Sequence, residues 1–122
     1  MAEENFFNID TLENGIERAL APGLRATIFP GDQAMLSVVV LEPGAKGEMH
    51  HHPEEQWGYC LEGAGLRYQG DKIIPIKAGD FWRTPGGVPH TMEASEEGLK
   101  VLDIFAPPRE AYRKPGEGFA AY

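Results

Sequence analysis

The chain has 122 residues and a formal net charge of −8, with 19 acidic residues against 11 lysines and arginines. This length suits a single domain, which can bury a core without disulfides. A negative surface repels nucleic-acid phosphates and anionic membranes, so neither is an expected partner. Cys60 is the only cysteine. Because a lone thiol fits a reducing compartment and the N-terminal residues lack a signal-peptide pattern, we expect a cytoplasmic protein.

Short segments rich in Val, Ile, Leu, Phe and Tyr alternate with turn signals supplied by 15 glycines and 10 prolines. Only residues 10–20 predict a helix, since Asp10 and Glu13 form a weak capping-box pattern, although Gly15 disfavours a long one. The predicted strands, in chain order, are residues 23–29, 35–41, 46–52, 56–62, 65–69, 72–76, 80–84, 90–94 and 99–105. Many short strands without a long helical pattern predict an all-β antiparallel sandwich or barrel.

The pattern indicates one domain over residues 1–122. We expect a core over about residues 23–106, an N-terminal arm over residues 1–22 and a C-terminal tail over residues 107–122. The tail is rich in proline and glycine, so it is expected to lie along the surface.

Three of the four histidines form one run, His50-His51-His52. On a strand alternate side chains share a face, so His50 and His52 point together while His51 points away. Two imidazoles on one face can chelate a metal ion. Gln56 follows a short turn and can add an amide oxygen, and a bend rich in proline and glycine can return His90 to the same face. Spacing alone leaves a metal site and a solvated histidine loop both open.

Glycines at fixed distances from these histidines form two motifs. They are Gly44-x5-His50-x-His52-x3-Gln56-x6-Gly63 and Gly79-x5-Pro85-x-Gly87-x2-His90. Two such motifs in this order resemble those of the small single-domain cupins. The resemblance implies the cupin double-stranded β-helix, which is a jelly-roll barrel. It also implies one divalent metal ion with the ligands His50, His52, Gln56 and His90.

Two positions depart from the cupin pattern. Gln56 stands where cupins commonly have glutamate, and Ala94, which is no expected ligand, stands where they commonly have asparagine. Three imidazoles and an amide are neutral, so a bound ion would keep its full charge, polarise oxygen ligands strongly and be a poor redox centre. A slip in register would instead bring Glu54 or Glu55 to the metal. The set suits one divalent ion of Zn, Ni, Co, Fe or Mn.

Asp103 is unusual in the predicted strand 99–105, because it shares a face with Phe105 in a segment otherwise suited to burial. A buried carboxylate is costly unless it is paired or bound. One interpretation is a structural pair with Arg109 or Arg25. The other is a general acid/base beside the metal.

A narrower resemblance rests on the run Asp103-Ile-Phe105-Ala-Pro-Pro-Arg109. This run is similar to the closing segment of small cupins of pectin and alginate breakdown, which convert unsaturated uronates to linear keto sugars. The resemblance implies that Asp103 moves a proton, that Phe105 walls the pocket and that Arg109 grips a substrate carboxylate through its bidentate fork.

The leading hypothesis is a non-redox, metal-dependent enzyme of the isomerase or lyase type that opens the ring of a small sugar acid. The alternatives are a metal-dependent dioxygenase and a barrel that binds a small molecule without catalysis, because a fold does not determine a function. We also expect a homodimer, since Phe6 and Phe7 form an apolar pair with little core to join and an open sheet edge invites pairing.

Overall fold

The computed structural model describes residues 4–120, whose regular structure is almost entirely β-strand. In chain order the elements are β1 (Ile16–Ala21), β2 (Leu24–Pro30), β3 (Met35–Leu41), β4 (Glu55–Gln69), β5 (Lys72–Lys77), β6 (Phe81–Thr84), β7 (His90–Ala106), a 3₁₀ helix (Glu110–Arg113) and β8 (Gly116–Glu117). None of the helical segments in this range is long and apolar enough to span a bilayer.

The strands form one sheet in the order β5-β4-β7-β3-β2-β1-β8, and β6 pairs with β4. β4 and β7 are 15 and 17 residues long and pair antiparallel along most of their length. Register shifts between Cys60 and Glu62 and between Gly63 and Gly65 mark the places where this pair bends. The first half of β4 pairs with β6 and the second half with β5. One long strand pair therefore links the two ends of the barrel.

Strand β3 shows how side chains divide between the inside and the outside of the barrel. Met35, Val39 and Leu41 are buried, whereas Leu36 and Val40 are exposed. This alternation is that of a sheet with one face on the core. The pairing of β3 with β7 then places the inward residues of β7 at the centre of the molecule.

The helix predicted over residues 10–20 is wrong, because Ile16–Ala21 forms β1 and pairs antiparallel with β2. Asn8 Oδ1 accepts hydrogen bonds from two following backbone N–H groups at 2.8 and 3.0 Å, which closes a turn instead of capping a helix. Beyond that turn Arg18 and Leu20 are buried and their neighbours are not, which is the period of a strand.

The predicted strand over residues 46–52 is also wrong as a regular element, since only Lys46 and His50 form isolated bridges there. This irregular segment carries two of the predicted metal ligands. Four of the other predicted strands merge in pairs into the long strands β4 and β7.

The described part of the tail, residues 107–120, is tied to the barrel more closely than expected, although residues 114–117 remain exposed. Its 3₁₀ helix buries Tyr112, and β8 pairs with β1. Arg18 donates hydrogen bonds to three tail carbonyls, at 2.7 Å, 2.9 Å and 3.3 Å, and Phe119 packs against the core. An inward arginine of β1 thus draws the tail onto the barrel, because its buried donors need acceptors.

Candidate metal centre

Three histidine side chains, His50, His52 and His90, meet inside the barrel. All three are buried, and their candidate ligand atoms lie within 4.8 Å of one another. The backbones of His50 and His90 exchange two hydrogen bonds, at 3.1 and 2.9 Å, which hold the start of β7 beside the irregular segment. His51 is exposed and stands outside the cluster.

Each of these histidines uses its Nδ1 atom on a backbone carbonyl two residues away. His50 Nδ1 donates to the carbonyl of Glu48 at 2.8 Å, and His52 Nδ1 donates to that of Glu54 at 3.1 Å. His90 Nδ1 donates to the carbonyl of Val88 at 2.8 Å. A carbonyl oxygen only accepts, so Nδ1 carries the proton and Nε2 keeps its lone pair. Nε2 of His90 is buried and has no hydrogen-bond partner within residues 4–120. A metal ion would satisfy such an orphaned lone pair.

Gln56 joins the cluster from the start of β4. Its Oε1 lies 3.0 Å from Nε2 of His52, and the side chain is buried. Three imidazole nitrogens and one amide oxygen therefore face one point. This donor set fits a divalent transition-metal ion.

Neither neighbouring glutamate reaches the metal side of the cluster. Glu54 is buried behind His52, with Oε1 3.4 Å from Nδ1, the nitrogen that faces away from the other ligands. Glu55 faces outward and accepts a hydrogen bond from the indole N–H of Trp57 at 2.8 Å. This arrangement favours Gln56 over either glutamate as the fourth ligand, and the neutral ligand set stays a prediction.

Burial keeps the three imidazoles neutral. Desolvation lowers the pKa of His50 from 6.5 to about 4, although a backbone hydrogen bond partly offsets it. Desolvation and then the charge of Arg67 lower the pKa of His90 to about 2. Desolvation and then the charge of Arg109 lower the pKa of His52. The neutral imidazole is the form that binds a metal, so the site is ready for an ion at neutral pH.

Asp103 faces the same cavity from β7. Its side chain is buried, and Oδ1 has no hydrogen-bond partner among residues 4–120. Desolvation raises its pKa from 3.8 to about 6, against the charge of Arg67 and a hydrogen bond from Gln56, which lower it. A carboxyl group with such a pKa exchanges protons readily near neutral pH.

Arg67 is the site residue that sequence reasoning missed. It is 2% exposed and faces the cavity from β4. Its Nη2 donates to Oγ1 of Thr84 at 2.8 Å and its Nε to Oε1 of Gln69 at 3.3 Å, so both acceptors are neutral. The alternation of apolar residues gives no signal for it, because Leu66 and Tyr68 on either side predict that they face inward instead.

Neither arginine that was expected to pair with Asp103 does so. Arg25 lies on the surface in an ion pair with a glutamate of β1. Arg109 is 1% exposed, and its Nη2 donates to the backbone carbonyls of Phe119 and Ala120 at 2.7 and 2.8 Å. The interpretation of Asp103 as half of a structural pair with either residue is therefore wrong.

Phe105 forms part of the cavity wall. Its ring packs edge-on against that of His52, with centroids 5.5 Å apart. Phe119 of the tail lines another part of the wall. The cavity between these side chains has a free volume of about 20 Å³, which is room for about one water molecule.

Sequence and structure comparisons connect this chain to proteins of known families. The Cupin domain family matches residues 37–105. The oxalate decarboxylase OxdC of Bacillus subtilis (strain 168) is 37% identical over 70 residues, which make up 53% of this chain and only 18% of OxdC. The structure of KdgF from Halomonas sp. superposes with a TM-score of 0.77 at 27% identity, over 88% of this chain and 98% of that one. An RmlC-like cupin from Shewanella frigidimarina NCIMB 400 gives 0.77 at 25%, over 91% and 96%.

A β-barrel with three inward histidines and a glutamine defines a class of metal-binding barrel proteins. Because the family match covers more than half of its length, this chain belongs to the Cupin domain family. The predicted jelly-roll fold is confirmed. A structure of Bacillus subtilis oxalate decarboxylase described with Mn(II) centres has a TM-score of 0.75 at 26% identity, over 82% of this chain and 30% of that one. That similarity supports a metal ion here without identifying it.

Removal of one ligand should abolish metal binding. His52→Ala and His90→Ala each delete an Nε2 donor, so metal content by elemental analysis should fall from about one ion per chain to none. His51→Ala is the matched control and should keep the metal, because His51 is exposed. Full occupancy in either ligand variant would contradict the assignment.

The metal-free protein should lose stability as the pH falls from about 7 to about 5. In this window the histidines of the unfolded chain take up protons, while folded His50 and His90 stay neutral. The unfolded state then binds more protons, and each histidine lowers the free energy of unfolding by about 2 kcal/mol at about pH 5. Asp103 acts in the opposite sense, since the folded state protonates it near pH 6, but it is one group against two. Urea unfolding at several pH values measures the slope, and a flat or rising stability would disprove neutral burial.

Proposed function

We propose that this cupin is a metal-dependent enzyme that opens the ring of an unsaturated uronate without redox chemistry. The observation that carries the proposal is Asp103, a buried carboxylate with a free oxygen in the cavity of the histidine cluster. The similarity to KdgF supports it. The resemblance of residues 103–109 to the closing segment of pectin-degrading cupins supports the same substrate class.

The ion would be held by His50, His52, Gln56 and His90. When bound, a divalent ion with these neutral ligands supplies Lewis-acid polarisation of a sugar oxygen. Phe105 would act as an apolar wall that excludes water from the reacting atoms.

Asp103 would move the proton. In ring opening, a proton leaves the anomeric hydroxyl, the bond between the anomeric carbon and the ring oxygen breaks, and a proton is added to the ring alkene carbon. Atoms and electrons balance without an oxidant. With a pKa of about 6, the Asp103 carboxylate can accept the first proton and return it to carbon.

The charges around the cavity favour an anionic substrate. Arg67 and Arg109 are both buried, and a divalent ion with neutral ligands adds two further positive charges. Asp103 and Glu54 together supply at most two negative charges, so an excess of about two positive charges remains, and a substrate carboxylate would offset half of it. Arg109 is the proposed carboxylate-binding residue, because its Nε and Nη1 are buried and find no hydrogen-bond partner among the described residues.

The sequence similarity to oxalate decarboxylase favours a second candidate, in which the substrate is a small dicarboxylate. The cavity volume is about 20 Å³. Sites for larger ligands have roughly 300–1,000 Å³, so a small anion would require less enlargement of this cavity. Assays should therefore include oxalate. Release of carbon dioxide from oxalate, with no consumption of uronate, would replace the first proposal by the second.

Asp103→Asn should keep the fold and the metal yet lower turnover of unsaturated galacturonate by about 100- to 10,000-fold, the usual value of general acid/base catalysis. The substitution preserves shape and removes only the titrating group. Proton NMR follows loss of the ring form. Glu93→Gln is the matched control, since it makes the same change on β7 at a carboxylate that bonds to Tyr68. Unchanged turnover in Asp103→Asn would remove Asp103 from the mechanism.

We further propose a homodimer that forms through an apolar band on the outside of the sheet. Strand register aligns Leu36, Ile104 and Trp57 in one row across β3, β7 and β4. Tyr59 and Phe81 lie in the adjacent row. Trp57 and Tyr59 are about 40% exposed and Phe81 is 70% exposed. A second copy of the chain would cover this band by symmetric contact, as in most homodimers.

Light scattering should give about 27 kDa, twice the 13.4 kDa of one chain, at micromolar concentration. Trp57→Glu should shift the mass to that of the monomer, because it places a charge in the centre of the band. Ile73→Glu is the control, since Ile73 is exposed on β5, outside the band. A monomer mass for the unmodified protein would contradict the dimer.

A further inference from the structure

The cluster of His50, His52 and His90 has almost no free space around it. The cavity measures about 20 Å³, and the side chains of His52 and His90 are each 1% exposed. A site for a sugar acid needs several hundred cubic ångströms, roughly. Part of the wall must therefore move before a ligand of that size reaches the cluster.

The tail is the part of the wall that the sheet holds least. Its Phe119 ring stacks on that of His50, with centroids 4.2 Å apart and an angle of 28° between the planes. Up to residue 120, its only strand pairing is that of the two-residue β8 with β1. Its other ties are mainly backbone carbonyls that accept hydrogen bonds from Arg18 and Arg109. Segments held this way open at low free-energy cost, compared with the long ladders of the barrel.

Two glycines leave room for the docked tail. A Cβ atom at Gly47 would lie 2.6 Å from Oγ1 of Thr91 in the barrel and 2.9 Å from the Phe119 ring of the tail. A Cβ atom at Gly116 would lie 2.7 Å from Nη1 of Arg18. Each of these contacts is closer than side chains normally permit, so the barrel and the tail are shaped for each other at both ends of the contact.

We propose that residues 114–120 form a displaceable strap that closes the metal site and occupies the place of the ligand. In the closed state Phe119 covers His50, and two strap carbonyls accept from Arg109. A carboxylate is a stronger hydrogen-bond acceptor for a guanidinium than a neutral carbonyl is. An anionic ligand can therefore replace the strap carbonyls as the acceptor for Arg109. That the strap covers the histidine cluster does not depend on the proposed function. That a carboxylate ligand displaces the strap rests on the proposed function.

Zinc loss to excess EDTA tests the cover with the metal alone. Phe119→Leu keeps an apolar side chain but loses the stacked ring, and Arg18→Lys keeps the charge but loses the forked donors. Each should speed zinc loss from the loaded protein by about 2- to 10-fold, which is the loss of one stacking or hydrogen-bonding contact. Met49→Leu is the control, because Met49 adjoins His50 in sequence but is exposed.

Faster loss in both variants supports the strap, since Arg18 touches the tail and not the histidines. Unchanged rates, or a change in only one variant, overturn it, because a ring that merely packs against His50 would respond to Phe119→Leu alone. Melting temperatures of the zinc-free variants identify any that fail to fold. Gly116→Ala, whose Cβ atom would meet the guanidinium of Arg18 and so disturb the contact between Arg18 and the tail, then replaces the failed variant.

Amide hydrogen exchange tests the release by a carboxylate. Saturating unsaturated galacturonate should speed exchange in residues 114–120 of the zinc-loaded protein, including the Gly118 N–H that now donates to the Ala19 carbonyl at 2.8 Å. Slower or unchanged exchange with bound ligand overturns the release. If this uronate does not bind at all, the proposed function fails, and the zinc experiment alone decides the strap.

Discussion

The whole site depends on three short hydrogen bonds from histidine Nδ1 atoms to carbonyls two residues away. Each bond selects one tautomer and one ring orientation, so the Nε2 atoms converge once the backbone pair of His50 and His90 has brought the two segments together. This requirement explains why His50 and His52 lie in an irregular segment. In a regular ladder the carbonyl of Glu48 would be committed to a neighbouring strand, whereas here it is free to accept from His50.

The burial that keeps the imidazoles neutral also leaves two opposite charges poorly solvated. Desolvation lowers the pKa of Arg67 to about 10 and raises that of Asp103 to about 6, although each charge favours the other. Arg67 donates hydrogen bonds to neutral acceptors, and Oδ1 of Asp103 has no partner among residues 4–120. Both charged groups can therefore still interact with a ligand. In a structural ion pair the two side chains would be in direct contact and neutralise each other. Arg67 and Asp103 are not in such contact, so both stay available to a ligand.

Sequence reasoning reached the features that local spacing determines. Alternation predicted that His50 and His52 share one side of the chain, and they do, although the segment is not the regular strand from which this was argued. The offset from His52 favoured Gln56, whose Oε1 lies beside Nε2 of His52, but its role as a ligand stays a prediction. It failed where contacts join distant segments. Arg67 looks like a surface residue between two apolar neighbours, and only the closure of the barrel turns it inward. The docking of the tail depends on Arg18, almost a hundred residues away, so a tail rich in glycine and proline gave no sign of it. Cellular location and dimerisation stay predictions.

The relatives also indicate where specificity must come from. Proteins named for oxalate decarboxylation and KdgF share this fold, so the barrel itself does not determine the substrate. The differences must lie in side chains that surround the metal without binding it. In this chain they include Asp103, Arg67 and Phe105 from the barrel and Phe119 from the tail, with Arg109 nearby. The first three set the charge and shape of a rigid floor, whereas Phe119 rests on a segment with a two-residue ladder. If the tail withdraws as proposed, its displacement would determine the size of the substrate, and the positive charge left unbalanced around the cavity would favour an anionic one.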